Sequence, residues 1–249
     1  MRIPVSSLLL PLLALVPLRL HAQADDDSTS WDVEDPHGPA DTIRFETDEG
    51  TWMDLDVHPD GRWIVFDLLG DIYRVPLTGG QAELLSGGRS FEHQPRYSPD
   101  GQTIVFTSDR SGRDNLWLMD ADGSNRRQLT ELDDSFPTNP AWIPDGDYIV
   151  AKRHVRSTRS LGGGELWLFH VRGGSGIKLK DKESFTSELN EPYPSRDGRW
   201  VYYSHAGPFD YNRDVHDGIF QISRIDRVTG DIEPVTRDAG GAVRPTISP

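Results

Sequence analysis

The sequence predicts an all-β fold: a β-propeller of four-stranded antiparallel blades, four of them plus the start of a fifth within 249 residues. Two observations predict it. The stretch Gln94–Thr130 reads as one complete four-stranded meander, and its turns and strand columns recur along the chain. A four-stranded unit repeated at roughly 40–50 residues is the signature of propeller blades, because a single such sheet cannot bury its apolar faces alone. Four blades and a beginning make an incomplete six- or seven-bladed propeller the expectation.

Within the meander, Ser98-Pro99-Asp100-Gly101 is the first turn. Proline presets φ at the first central position, aspartate suits the second, and glycine accepts the positive φ that closes the hairpin. Thr103-Ile-Val-Phe106 and Leu116-Trp-Leu-Met119 are the β-branched, aliphatic and aromatic runs expected of buried strands. Asp120-Ala-Asp-Gly123 turns the chain again before the more polar Arg127-Gln-Leu-Thr130.

Aligned on the turn, His58-Pro-Asp-Gly61, Ser98-Pro-Asp-Gly101, Ile143-Pro-Asp-Gly146 and Ser195-Arg-Asp-Gly198 start 40, 45 and 52 residues apart. Ser248-Pro249 opens a fifth copy 53 residues on. One column before the turn holds Val57, Tyr97, Trp142, Pro194 and Ile247; two residues earlier stand Leu55, Pro95, Pro140, Pro192 and Pro245. Second strands follow at Trp63-Ile-Val-Phe66, Thr103-Ile-Val-Phe106, Tyr148-Ile-Val-Ala151 and Trp200-Val-Tyr-Tyr203. Third strands pair an aliphatic with an aromatic at Ile72-Tyr73, Leu116-Trp117, Leu166-Trp167 and Ile219-Phe220. The blades therefore fall at about 51–88, 92–132, 137–182 and 189–238, with 242–249 beginning the next. In this phase Trp63, Trp117, Trp142, Trp167 and Trp200 face neighbouring blades and read as core; Trp52 is expected at the edge of the first blade, and Trp31 has no place in the pattern.

Ahead of the blades, Arg2 leads an apolar run from Leu8 to Leu18, and Ala22-Gln-Ala24 is a small-x-small cleavage site before Asp25. The run is too short to span a bilayer, so residues 1–24 read as a secretory signal peptide. The expectation is an exported protein, periplasmic or secreted, with no membrane span after cleavage. Residues 25–41 are an acidic linker with Pro36, Gly38 and Pro39, expected to be flexible or loosely laid on the surface. The propeller occupies 42–249, and Thr42-Ile-Arg-Phe-Glu46 alternates like a half-buried strand outside any complete unit.

Composition narrows the function. Zero cysteines exclude disulfides, a thiol nucleophile, Cys-ligated zinc and an acylated cysteine. A formal charge of −14 argues against nucleic acid and against an anionic membrane surface.

The pattern P-x-x-S-P-D-G, I-V-F-x-S-D-R and L-W-L-M-D-A-D-G-S-N-x-R-Q-L-T across Pro95–Thr130 resembles the WD40-like repeat of TolB-type propellers. Glu49-Gly-Thr-Trp-Met-Asp54, Phe66-Asp-Leu-Leu-Gly-Asp-Ile-Tyr73 and the run from Ala151 to Trp167 resemble secreted bacterial proteins in which such a propeller precedes an amidohydrolase domain. The resemblance runs from about Thr42 to Pro249. It implies a metal-dependent C–N hydrolase whose catalytic domain and divalent metal lie beyond Pro249, so this chain itself holds no cofactor. Its partner is then its own C-terminal catalytic domain or another protein. A stand-alone periplasmic TolB-like binding propeller and the propeller of a prolyl-oligopeptidase-like serine peptidase are the alternatives.

Insertions single out one face. From turn glycine to third-strand aromatic the blades count 12, 16, 21 and 22 residues, so the loop between second and third strands grows while the Asp-Gly turn stays constant. In the third blade, Lys152, Arg153, His154, Arg156 and Arg159 put positive charge into an acidic chain. Arg153, His154, Arg156 and Arg159 are the candidate contact for an anion or acidic partner; pairing with nearby carboxylates would equally account for them. Asp210-Tyr-Asn-Arg-Asp214-Val-His-Asp217-Gly218 alternates oxygen-bearing side chains but lacks a calcium-loop spacing, and reads as a solvated turn. No H-x-H, H-E-x-x-H, G-x-S-x-G or phosphate-loop motif is present, and Gly173-Gly-Ser-Gly176 is the turn before an outer strand.

Overall fold

The computed structural model describes residues 32–36, 38–155, 164–183, 187–207 and 219–247. The leader, Trp31, Arg156, Arg159, the loop 210–218 and Ser248-Pro249 lie outside the described residues. The rest forms four separate four-stranded sheets, each with its strands in chain order. Blade one is β1 (Leu55–Val57), β2 (Trp63–Leu68), β3 (Asp71–Pro76) and β4 (Glu83–Ser86). Blade two is β5 (Glu92–Tyr97), β6 (Thr103–Ser108), β7 (Asn115–Asp120) and β8 (Arg127–Gln128). Blade three is β9 (Ser135–Trp142), β10 (Tyr148–Val155), β11 (Glu165–His170) and β12 (Ile177–Lys180); blade four is β13 (Glu188–Pro194), β14 (Trp200–Ala206), β15 (Gln221–Asp226) and β16 (Ile232–Pro234).

The repeated turn has one construction in all four blades. The glycine N–H donates three residues back, from Gly61 to His58 O, Gly101 to Ser98 O, Gly146 to Ile143 O and Gly198 to Ser195 O, at 2.8–2.9 Å. The aspartate then caps the chain two residues on: Asp60, Asp100, Asp145 and Asp197 accept the N–H of Arg62, Gln102, Asp147 and Arg199. These four glycines have φ between 68 and 78°, the left-handed region a side chain would resist.

Apolar burial lies between blades. Val65, Ile72 and Leu85 of blade one meet Tyr97, Ile104, Phe106 and Met119 of blade two. Val105, Leu116, Leu118 and Leu129 of blade two, with Leu132, meet Ile149, Ala151 and Phe169 of blade three. Ile143, Val150, Leu166 and Leu168 of blade three meet Leu189, Val201, Tyr203 and Ile225 of blade four. Contact is close enough that a Cβ on Gly123, at φ 86°, would stand 2.5 Å from the Leu85 carbonyl oxygen of the preceding blade.

Several expectations are corrected. In blade four Trp200 pairs with Asp226, as Thr103 pairs with Asp120, so Tyr203 faces Ser223 and the third strand is β15, not Ile219-Phe220. The enlarged loop before it displaces the apolar pair by three residues; Ile219 is half exposed, and Phe220 O accepts Ala242 N at 2.7 Å. Thr42–Glu46 forms no strand, with Ile43 84% and Phe45 63% exposed, because no described sheet offers it a partner. Trp52 is fully exposed rather than packed at the first edge. The five column tryptophans are half-buried; Trp117, Trp142 and Trp167 do pack against the clusters between blades, as expected, while Arg74, Arg153 and Arg224 cover the rings of Trp63, Trp167 and Trp200 at 4.8, 4.3 and 4.1 Å. Residues 242–247 follow the inner-strand course but join none of the four sheets.

Candidate functional site

The first strands of the blades and residues 244–247 line a cavity of about 650 Å³. Its wall is set by a recurring backbone irregularity. His93 faces Thr107 and Arg96 faces Val105; Thr138 faces Lys152 and Ala141 faces Val150; Asn190 faces Ser204 and Tyr193 faces Tyr202. The first strands of blades two, three and four therefore each set two residues against one, a β-bulge, and the second of the two is Pro95, Pro140 or Pro192, whereas β1 pairs without a shift. The residue before each proline takes positive φ: Gln94 57°, Asn139 53°, Glu191 53°, and likewise Arg244 56° before Pro245. A residue preceding proline ordinarily stays extended, so four such positions in phase are held by their surroundings.

The holding groups come from the preceding blade. Gln94 N donates to Asp67 Oδ2 at 2.6 Å, Asn139 N to Gln94 Oε1 at 2.7 Å, and Arg244 N to Glu191 Oε2 and Ser204 Oγ at 2.9 Å. Tyr97 N donates to Asp56 at 2.8 Å, and Trp142 Nε1 to Arg96 O at 3.0 Å. The bulges turn amides out of their own sheets and each blade supplies acceptors to the next.

Charge in the channel is mostly paired. Asp54 meets Arg96 at 2.9 Å, and Glu191 meets Arg244 at 3.0 Å. Burial raises the carboxyls of Asp56 and Asp67 above the usual range, against the pull of the backbone amides they accept. Burial also lowers the His93 imidazole, although Asp114, Asp67, Asp54 and Asp109 oppose it. Arg196 is exposed and has no described partner; it lines the channel where the other turns carry Pro59, Pro99 and Pro144.

The candidate contact on blade three is arranged differently from a free basic patch. Arg153 donates to Ser135 Oγ at 2.7 Å, pairs with Asp134 at 3.1 Å and lies over Trp167. His154 stacks on Phe136 with centroids 4.8 Å apart, and burial, helped by Lys152 and Lys182, lowers its pKa to about 4. It is neutral at ordinary pH. Lys152, 5% exposed, donates to Asn190 Oδ1 of blade four. Among the described residues, then, the blade-three cations are engaged, with Arg156 and Arg159 outside that description.

Chemistry-bearing pairs are few. Ser223 Oγ lies 3.0 Å from His205 Nε2, but Ser223 is buried and pairs across the strands with Tyr203, which makes it a packing bond rather than an activated nucleophile. No three His, Asp or Glu side chains among the described residues converge as metal ligands. Sequence reasoning found the proline columns but missed Asp67 and Gln94 as the groups that tie blades together; the polar character of Asp67 inside an otherwise apolar strand was the available signal.

Four-stranded blades that pack face to face with their neighbours, their first strands lining a common cavity, define a β-propeller. Residues 55–164 match the family model described as the TolB beta propeller domain, and the chain carries a TolB-like propeller. It is 28% identical over 217 residues to the uncharacterized peptidase YuxL of Bacillus subtilis, a match covering 73% of this chain and 30% of that protein. It is 35% identical over 162 residues to the uncharacterized protein Atu1656 of Agrobacterium fabrum, covering 61% and 54%. The structure of a putative TolB from Agrobacterium tumefaciens superposes with a TM-score of 0.62 at 22% identity, covering 77% of this chain and 64% of that one. The chain thus spans only about a third and a half of these two curated relatives.

Proposed function

We propose that this chain is the non-catalytic propeller portion of an exported hydrolase, scaffolding or gating a catalytic domain of the amidohydrolase type. The observation that carries the reading is the inner channel. Its carboxylates and most of its arginines bond to one another and to backbone amides, an arrangement that fixes shape and supplies no nucleophile–base pair. Export is supported by the leader pattern of residues 1–24. The amidohydrolase type is supported by the long segments Glu49–Asp54, Phe66–Tyr73 and Ala151–Trp167, and in that reading the divalent metal belongs to the catalytic domain. Arg156 and Arg159 would extend the contact with that domain or with an acidic partner.

A peptidase parent is the second reading, favoured by the name of the Bacillus subtilis relative, of which this chain spans 30%. The deciding experiment isolates the native polypeptide that carries these residues. Stoichiometric divalent metal and chelator-sensitive amide hydrolysis are the expected result. Labelling by a fluorophosphonate probe would overturn it in favour of a serine peptidase. A polypeptide of 27.9 kDa or less that neither hydrolyses amides nor labels would instead be a binding propeller.

A further inference from the structure

Part of the acidic linker is docked, with Val33 and Pro36 half-buried and its hydrogen bonds to the blades made by a single side chain. Asp32 folds residues 32–35 into a turn, its side chain accepting Glu34 N at 2.9 Å and its carbonyl accepting Asp35 N at 3.2 Å. The turn presents the Glu34 carboxylate to three donors on the insertion face: Arg110 Nη1 at 2.8 Å, Arg89 N at 3.2 Å and Ser90 N at 3.3 Å. Gly88 forms the floor of this cradle. A Cβ there would stand 2.5 and 2.9 Å from the two carboxylate oxygens, so any side chain at this position would crowd the seat.

The cradle is preset from behind. Arg110 Nε and Nη2 donate to Glu92 Oε1 at 3.2 and 2.9 Å, and Glu92 is fully buried. Ser90 Oγ and Ser108 Oγ lie 3.4 Å from the same oxygen. The guanidinium is thereby fixed with its Nη1 edge turned to an incoming anion, the geometry that makes arginine suited to carboxylates. Among the described residues, every hydrogen bond from 32–36 to the blades runs through the Glu34 carboxylate. Ordering the stretch costs conformational entropy, which the charged hydrogen bonds of a single carboxylate do little more than offset. The docked state is therefore close to balance, and a competing carboxylate can displace it.

We propose that the cradle of Gly88, Arg89, Ser90 and Arg110 is a binding site for a carboxylate of an acidic peptide, and that Glu34 is its tethered occupant. The site lies between blades one and two, away from the blade-three arginines, and does not depend on which catalytic domain the propeller serves.

The test reads the backbone amide signals of Arg89 and Ser90 in the 15N-labelled full chain. E34Q removes the tethered carboxylate and should move both signals. The probe is the chain's own hexapeptide 31–36, capped at both ends. Added to E34Q it should return the two signals toward their wild-type positions, with a midpoint about two- to threefold below that for wild type, whose own strap, docked close to half of the time, competes for the seat. The same peptide with glutamine for its glutamate should do nothing, a control that leaves the cradle untouched. G88A added to E34Q should weaken binding severalfold, since a Cβ there crowds the carboxylate. No response of E34Q to millimolar peptide, equal response to the glutamine form, or indifference to G88A would overturn the assignment.

Discussion

Lys152 is a charge placed in an apolar seam, and its removal should stabilise the fold at neutral pH. It sits on β10 opposite Thr138 and Leu166, 5% exposed, with Asn190 of blade four as its hydrogen-bond acceptor. Burial lowers its pKa from 10.5 to about 8, although Glu188 and Glu191 pull the other way. Because the folded pKa lies below the unfolded one, the unfolded chain holds the proton between pH 8 and 10.5 while the folded chain has lost it. Stability therefore rises with pH across that window. The charged lysine costs about 3 kcal/mol at pH 7, of which about 2 kcal/mol is recovered by pH 9.5. K152M keeps the stem packing and gives up the bond to Asn190, worth about 1 kcal/mol. At pH 7 the variant should melt above wild type by about 1–2 kcal/mol, and the gap should close or reverse by pH 9.5, a relative change of about 4–8 °C in Tm. Tyr97 and Tyr203, pushed up to about 12 by burial, titrate above this range in both proteins and drop out of the difference. Paired melts at pH 7, 8, 9 and 9.5 measure it. Parallel curves for the two proteins would refute the reasoning.

The other expectations concern the seams. D67A strips the acceptor from Asp54 N at 2.9 Å and Gln94 N at 2.6 Å and should cost about 2–4 kcal/mol in urea titration, with D67N costing less because one oxygen remains. G123A meets both an unfavourable φ and the Leu85 carbonyl, and should lower stability by at least about 2 kcal/mol; a Tm equal to wild type would show that the blades separate freely there. I149A opens a cavity between blades two and three where Ile149 is fully buried, and should cost about 2–5 kcal/mol by thermal or urea melting.

Features set by local chemistry were legible in the sequence. The Asp-Gly turns depend on four consecutive residues and appear in the structure with the same bonds each time. The second strands fall where their β-branched runs place them. Non-local features were not legible. Pro95, Pro140, Pro192 and Pro245 stood out as a column, but not the positive φ before each, which for Gln94, Asn139 and Arg244 goes with acceptors 27 to 53 residues away, such as Asp67 for Gln94 and Glu191 for Arg244. Ile219-Phe220 matched the third-strand pattern in composition, yet register is settled by pairing with β14, which selects Ile222 and Ile225. The alternation at Thr42–Glu46 meant nothing without a sheet to join. Arg153 and His154 were readable as charge, but not the Asp134 and Phe136 that occupy them. The Glu34–Arg110 contact joins a linker to a blade and leaves no local signal at either end.

The placement of the core separates the constrained parts of the fold from the free ones. Each apolar cluster belongs to one seam, so stability is close to a sum of neighbouring-blade terms. The Asp-Gly turns close every blade and their carboxylates cap backbone amides, which fixes that face. Among the described residues, the loops between second and third strands add no member to the clusters, so these segments can vary without a packing penalty. The channel is constrained for another reason: its strained bulges are held by acceptors from adjacent blades, so a ligand pulling on Gln94 or Glu191 pulls on a seam. Binding in the channel should therefore stiffen blade contacts, whereas binding at the Arg110 cradle need only exchange one carboxylate for another.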